Sequence, residues 1–278
     1  MSMIISGLPN FGATCYLNSL LQCLNATCDL YEYLGLISPK LKPESISIAI
    51  LNLFTTMRAG DNPKIHQNLV DFIKLFSAAH PTFAVNTQQD SQEFYTRLLD
   101  TMDEEISETY NKHSKHKSII KKLFNINQIT KVKCTRCKTI VSTSSFARYI
   151  YVNKNMEYYK EELLSGANKY ACEKCKSLQD ATKQIIIEST PKILVLVLAK
   201  YEDINIHMNI SEELPYNGKM YIPYGIVTHS GSLGGGHYIS QCKFEDSWYL
   251  FNDSTIHPIG KEYSSRGAFM VFYRQKID

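Results

Sequence analysis

Eight cysteines stand in the chain of 278 residues, and one of them, Cys15, sits where a thiol can do chemistry. It lies in GLPNFGATCYLNSLLQCL, residues 7–24. Leu17, Leu20, Leu21 and Leu24 recur at i, i+3, i+4 and i+7, the spacing of a helix with one apolar stripe. Gly12 interrupts the chain just before it and Thr14 suits a helix cap, so Cys15 is expected in the first turn. The helix dipole and unpaired N–H groups there favour a thiolate, which predicts a lowered thiol pKa. A lone cysteine in a buried helix is more often just a small apolar residue. Only a base elsewhere in the chain can decide between the two.

His237 is the best base among eight histidines. It stands in HSGSLGGGHYISQCKF, residues 229–244, where Gly234, Gly235 and Gly236 lead into a strand-like run. Three glycines free the backbone for unusual dihedrals or let another chain segment pass close by. A surface hairpin is the plainer explanation, but hairpins seldom need so much glycine. Asn252 and Asp253 follow in WYLFNDSTI, residues 248–256. Adjacent antiparallel strands can set Asn252 beside His237, so that the ring N–H donates to the amide oxygen. Alternation along a strand sends neighbouring side chains to opposite faces, so only one of Asn252 and Asp253 should reach the ring. Cys, then His, then Asn in chain order is papain-like logic. The Cys-to-His separation exceeds the roughly 130–150 residues of papain-like enzymes, and an insertion must account for the excess.

The insertion has a marker. Cys134 and Cys137 in VKCTRCKT pair naturally with Cys172 and Cys175 in YACEKCKS. Each Cys-x-x-Cys aims two sulfurs at one ion, and four thiolates close a tetrahedral Zn2+ shell. A redox motif would not normally come in duplicate, and idle thiols need no such spacing. Four protein ligands leave no open position, so this zinc is expected to be structural. The 34 residues between the pairs, 138–171, exceed a minimal zinc ribbon and should hold strands of their own.

Elements able to position these groups can be read along the chain. Residues 45–57, 68–79 and 89–106 carry apolar residues at helical spacing, so the chain up to about residue 110 should be mostly helical. The lysine-rich run NKHSKHKSIIKK, residues 111–122, reads as a solvated loop, since no aromatic residues interleave as a nucleic-acid surface requires. From about residue 129 the texture is β: SSFARYIYV, QIIIES, KILVLVLA, KMYIPYGIVTH, HYISQCKF, SWYLFND and AFMVFYR. Helices followed by strands predict an α+β fold. Hydrophobic residues at 44%, charged residues at 21% and a net charge of +3 fit a globular protein with no nucleic-acid or membrane partner. The start MSMIISGLPN lacks the basic and long apolar regions of a signal peptide. Reduced or metal-bound cysteines are therefore expected, in an intracellular protein of the cytoplasm or nucleus.

Together these motifs resemble the catalytic domain of a ubiquitin-specific protease, a cysteine deubiquitinase. The resemblance runs through GLPNFGATCYLNSLLQCL, QQDSQEF at 88–94, LFNINQITKVKCTRC at 123–137, YACEKCKSLQDATKQIIIESTPKILVLVLAKY at 170–201, HSGSLGGGHYIS, WYLFND and AFMVFYR, in the family's order. It implies a papain-like hand fold in a single domain, with a helical thumb (1–110), zinc-bearing β fingers (111–190) and a β-rich palm (191–278). It also implies Cys15 as nucleophile, His237 as base, Asn252 as third member and Asn10 as oxyanion donor, with Asp253 as a second polar position. Asp90 and Glu93 match residues that meet the basic tail of ubiquitin, and His229, Gly235 and Gly236 match a loop over that tail. The implied partners are ubiquitin and ubiquitinated proteins, with the enzyme a monomer. A ubiquitin-like modifier or a catalytically weak ubiquitin-binding scaffold are the alternatives. Two departures stand out: the span 198–225 is short, and Lys200 and Tyr201 replace the usual basic residue followed by Phe.

Overall fold

Apolar spacing and well-placed caps account for the helices of the first half. The computed structural model describes residues 4–84, 87–110, 118–152, 160–198, 209–232 and 235–276. Gly234, Lys200, Tyr201 and residues 111–117 of the lysine-rich run lie outside the described residues. The helices are α1 (Cys15–Asn25), α2 (Cys28–Ile37), α3 (Ile46–Ala59), α4 (Asn62–Ala79), α5 (Ser91–Thr109) and α6 (Ile119–Phe124). The Ser45 hydroxyl accepts from Ile48 N, Asp61 from Lys64 N, and Asp90 from Gln92 N and Glu93 N, each satisfying amides of a first turn. Every residue of α1 is buried, so the single stripe expected there is in fact an all-round buried helix. Its polar groups reach loop backbone instead: Gln22 Nε2 donates to Ser6 O at 2.9 Å. The last four residues of the run expected to be a solvated loop open α6, because Ile120, Leu123 and Phe124 are buried beneath α5 and α2.

Fourteen strands follow among the described residues: β1 (Ile126–Cys134), β2 (Ile140–Ala147), β3 (Ile150–Val152), β4 (Glu162–Leu164), β5 (Tyr170–Cys172), β6 (Ser177–Gln179), β7 (Ala181–Ser189), β8 (Ile193–Leu198), β9 (Leu214–Tyr216), β10 (Lys219–Ser232), β11 (Gly235–Phe244), β12 (Ser247–Asn252), β13 (Thr255–Gly260) and β14 (Ala268–Gln275). The larger sheet runs β13-β12-β11-β10-β14-β8-β3, with β9 also paired to β10. It is antiparallel except for β3 beside β8. Alternation along β8 gives it two cores. Ile193, Val195 and Val197 join the helical cluster, whereas Leu194, Leu196 and Leu198 pack with Ile226, Trp248 and Val271 on the other face. The architecture is therefore α+β, with helices gathered on one face of an antiparallel sheet.

A smaller sheet, β2-β1-β7-β4, stands apart with the short β5–β6 hairpin. The run SSFARYIYV, expected as one strand, divides between the two sheets at Arg148. That side chain is buried, bonded to Asn125 and paired with Asp100 at 3.1 Å and Asp103 at 3.3 Å. Holding the guanidinium against α5 ends β2 and starts β3 in the larger sheet.

Candidate active site and metal centre

Cys15 is the first residue of α1, as expected, but Thr14 does not cap the helix with its side chain. Its Oγ1 instead accepts from Phe11 N at 2.9 Å and donates to Asn10 Oδ1 at 3.2 Å, folding the preceding loop on itself. That loop lies against the turn after β12. Leu8 N donates to Asp253 O at 3.0 Å, and a Cβ on Gly7 would come within 2.5 Å of Ser254 O. Glycine is required there for the close approach.

Asp253 is the hub of this contact. Its Oδ1 accepts from Asn18 Nδ2 at 2.8 Å and its Oδ2 from Asn10 Nδ2 at 2.9 Å. Asn18 lies one turn after Cys15 and also donates to Pro9 O at 3.1 Å. One carboxylate thus ties α1, the loop before it and the end of β12 together.

His237 lies near the start of β11, opposite Ser230 of β10. Its Nε2 is 2.7 Å from Asn252 Oδ1, the pairing expected from the sequence. Asp253 Oδ2 is only 4.0 Å from the same nitrogen. Strict alternation does not hold there, because Asp253 has φ 50° and the chain has already left the strand. Both neighbours therefore face the imidazole, and Asn252 makes the hydrogen bond.

The Cys15 thiol is buried against β11, where the Tyr238 N–H donates to it. Burial pushes its pKa up from the ordinary thiol value. The Tyr238, Tyr16 and Cys15 amides oppose that rise, and the Asp253 charge reinforces it. The lowering expected from the helix start is therefore reversed. Desolvation of the charged form outweighs the amides.

Other residues expected at the site are distributed around it. Asp90 caps α5, and the next residue, Ser91, donates to Tyr16 O at 3.0 Å, which brings that cap close to the start of α1. Glu93 is exposed in the first turn of α5. His229 faces Tyr238 across the β10–β11 pair with ring centroids 4.5 Å apart. A Cβ on Gly236 would come within 2.3 Å of His229 Nε2. Two residues escaped the sequence reading. Asn18 was visible only as a polar residue in an apolar helix, and Gln88 only as part of QQDSQEF. Gln88 pairs its side-chain amide with the backbone of Gly236: Gly236 N donates to Oε1 at 3.0 Å, and Nε2 donates to Gly236 O at 3.3 Å.

The sulfurs of Cys134, Cys137, Cys172 and Cys175 all lie within 4.8 Å of one another. Each pair ends in a left-handed residue, Lys138 at φ 61° and Lys176 at φ 53°, which curls the chain back around its sulfurs. Thr135 N and Oγ1 donate to Asp180 O at 2.9 and 2.8 Å, fastening the first knuckle to the link that follows the β5–β6 hairpin of the second. In a tetrahedral shell with metal–sulfur distances near 2.3 Å the sulfurs stand about 3.8 Å apart, and Cys137 Sγ to Cys172 Sγ is 3.6 Å. The four cysteines can hold one metal ion.

The sequence from residue 6 to residue 273 matches the family model described as "Ubiquitin carboxyl-terminal hydrolase". The chain belongs to the ubiquitin carboxyl-terminal hydrolase family. Among curated members, it is 26% identical to Ubiquitin carboxyl-terminal hydrolase 5 of Saccharomyces cerevisiae, covering 98% of this chain and 45% of that one. It is also 26% identical to Ubiquitin carboxyl-terminal hydrolase Usp2 of Drosophila melanogaster, covering 98% of this chain and 35% of the relative. The chain thus spans less than half the length of these two hydrolases. In fold it is similar to a chain of the SAGA Ubp8/Sgf11/Sus1/Sgf73 DUB module bound to ubiquitin aldehyde, with TM-score 0.80 and 22% identity over 98% of this chain and 70% of that one. No helix among the described residues of this family member is long and apolar enough to cross a membrane.

Proposed function

We propose that this chain is a thiol-dependent deubiquitinase that hydrolyses peptide and isopeptide bonds at the C-terminal glycine of ubiquitin. The observation that carries this reading is the placement of Cys15 against the Tyr238 amide of β11, one residue along from His237, whose ring is bonded to Asn252. His237 takes the Cys15 proton, and the thiolate attacks the glycine carbonyl carbon. Asn10 Nδ2 has two hydrogens; Asp253 takes one, and the other donates to the oxyanion. The intermediate collapses as His237 gives its proton to the leaving lysine amine, which leaves a thioester on Cys15. Water, deprotonated by His237, then attacks that thioester and releases the ubiquitin carboxylate and the thiol. Asn252 keeps the imidazole aimed throughout.

Asp90 and Glu93 supply negative charge for the basic tail of ubiquitin, and His229, Gly235 and Gly236 line its path. Residues 1–110 act as thumb, 111–190 mostly as fingers and 191–278 mostly as palm. Zn2+ suits the four thiolates, and a closed sulfur shell of this kind supplies folding energy with no open position for catalysis. None of the eight cysteines forms a disulfide, which suits a reducing, intracellular compartment. The partners are ubiquitin and its conjugates, without nucleic acid or membrane, and the working form is a monomer.

The test is a panel of ubiquitin and ubiquitin-like proteins carrying a fluorogenic C-terminal amide, assayed with wild type and Cys15→Ala. Release from ubiquitin by wild type alone supports the proposal. Release from a ubiquitin-like protein alone reassigns the modifier, and no release from any member refutes hydrolysis.

A further inference from the structure

The edge of β11 near the nucleophile is occupied by a side chain that makes both hydrogen bonds of a strand partner. β12 pairs with β11 only from Ser240 onward, so Gly235–Ile239 has β10 on one side and, among the described residues, no strand on the other. In an extended strand, residues two apart turn their N–H and C=O to the same edge. Gly236 and Tyr238 therefore share the edge away from β10. Tyr238 N–H donates there to the Cys15 thiol. Gly236 presents both an N–H and a C=O, and the Gln88 carboxamide answers each of them. One donor and one acceptor are what a residue of an antiparallel neighbour strand would offer, through its own N–H and C=O.

Two residues along a strand advance ~7 Å. An extended chain whose scissile carbonyl sits at Cys15 and which runs along this edge therefore places the residue two before its scissile glycine opposite Gly236. We infer that Gln88 is a substrate-displaced cap: in the free protein its carboxamide holds the Gly236 edge, and the N–H and C=O of the tail residue two before the scissile glycine evict it. This rests on the deubiquitinase reading and names a residue that sets substrate affinity. The 3.3 Å bond to Gly236 O is the longer of the two. The Gly236 carbonyl is therefore the first group to pass to an incoming tail N–H. Glycine at 236 also fits this role, since a side chain there has no room beside His229.

Removing the cap should leave the edge solvated and open. In the free protein, amide exchange at Gly236 should be faster in Gln88→Ala than in wild type. In a Cys15→Ala background, adding Gln88→Ala should tighten ubiquitin binding by about three- to tenfold, the factor one amide hydrogen-bond pair is worth. In the active chain the same change should lower KM and hold kcat. Gln88→Met keeps the side-chain length but makes neither hydrogen bond, and should behave as Gln88→Ala does. Unchanged or weaker binding by the double variant overturns the inference, as does a fall in kcat at constant KM, which would mark Gln88 as a support for His237. Failure of Cys15→Ala itself to bind ubiquitin overturns the deubiquitinase reading and this one with it.

Discussion

Replacing Asp253 with Asn removes one charge and one acceptor while leaving the backbone alone, since both residues tolerate a left-handed φ. The two carboxylate oxygens each serve one amide, from Asn18 and from Asn10. An Asn side chain has one oxygen, and the buried Asn18 amide would claim it. The new NH2 would then face Asn10 Nδ2, donor against donor. Asn10 cannot turn its oxygen toward that group without giving up Thr14 N and Oγ1, both at 3.2 Å. A hydrogen bond to a charged acceptor contributes about 1.5–3 kcal/mol when sheltered. Asn10 is exposed, so we expect ~1 kcal/mol of stability to be lost and Tm to fall by about 2–4 °C. Turnover should suffer more. Deleting an oxyanion donor typically costs about 100- to 1000-fold in kcat, and a misaimed one should cost about 10- to 100-fold. The thiol should respond in the opposite sense, because the Asp253 charge is one cause of its raised pKa. Iodoacetamide should therefore alkylate Cys15 at lower pH in the variant than in wild type. The assay is steady-state hydrolysis of a fluorogenic ubiquitin amide at saturation, with alkylation rates against pH on the same preparations. A kcat indistinguishable from wild type would refute the idea that Asp253 holds Asn10 in place.

In wild type, burial of Cys15 predicts that alkylation in the free protein keeps rising with pH through the alkaline range; a plateau near neutrality would refute the raised thiol pKa. Cys172→Ser should abolish stoichiometric zinc and lower Tm while kcat per folded molecule changes little, and elemental analysis of wild type finding no zinc would remove the basis for this expectation. Asn252→Ala should depress kcat with KM little altered, because it leaves His237 unaimed; loss of kcat in Asp253→Ala alone would reassign the orienting role.

Local features were legible where residue type alone fixes geometry. Leucine spacing placed Cys15 at a helix start, paired Cys-x-x-Cys motifs marked a four-sulfur cluster, and the pairing of adjacent antiparallel strands made His237 and Asn252 neighbours. What escaped depends on contacts between distant segments. The sign of the Cys15 shift is set by burial against β11 and by a carboxylate far along the chain. Thr14 was misread because Asn10 competes for its hydroxyl. The division of SSFARYIYV depends on Asp100 and Asp103, which lie on a helix the local pattern cannot see. Asp253 was visible as a polar neighbour of Asn252, but the left-handed turn that lets both face the imidazole was not.

The position of β14 bears on how the enzyme is made. This strand is the latest of the fourteen to leave the ribosome, yet it lies inside the larger sheet, paired with β10 on one side and β8 on the other. Until residues 268–275 emerge, β8 and β10 each present an apolar inner edge with no partner. Nascent chains already carry Cys15, His237 and Asn252, but lack the strand that joins the two parts of the sheet. Activity therefore waits on the end of this stretch of translation. A ribosome stalled before Ala268 would hold an inert chain dependent on chaperones, with open strand edges prone to aggregation.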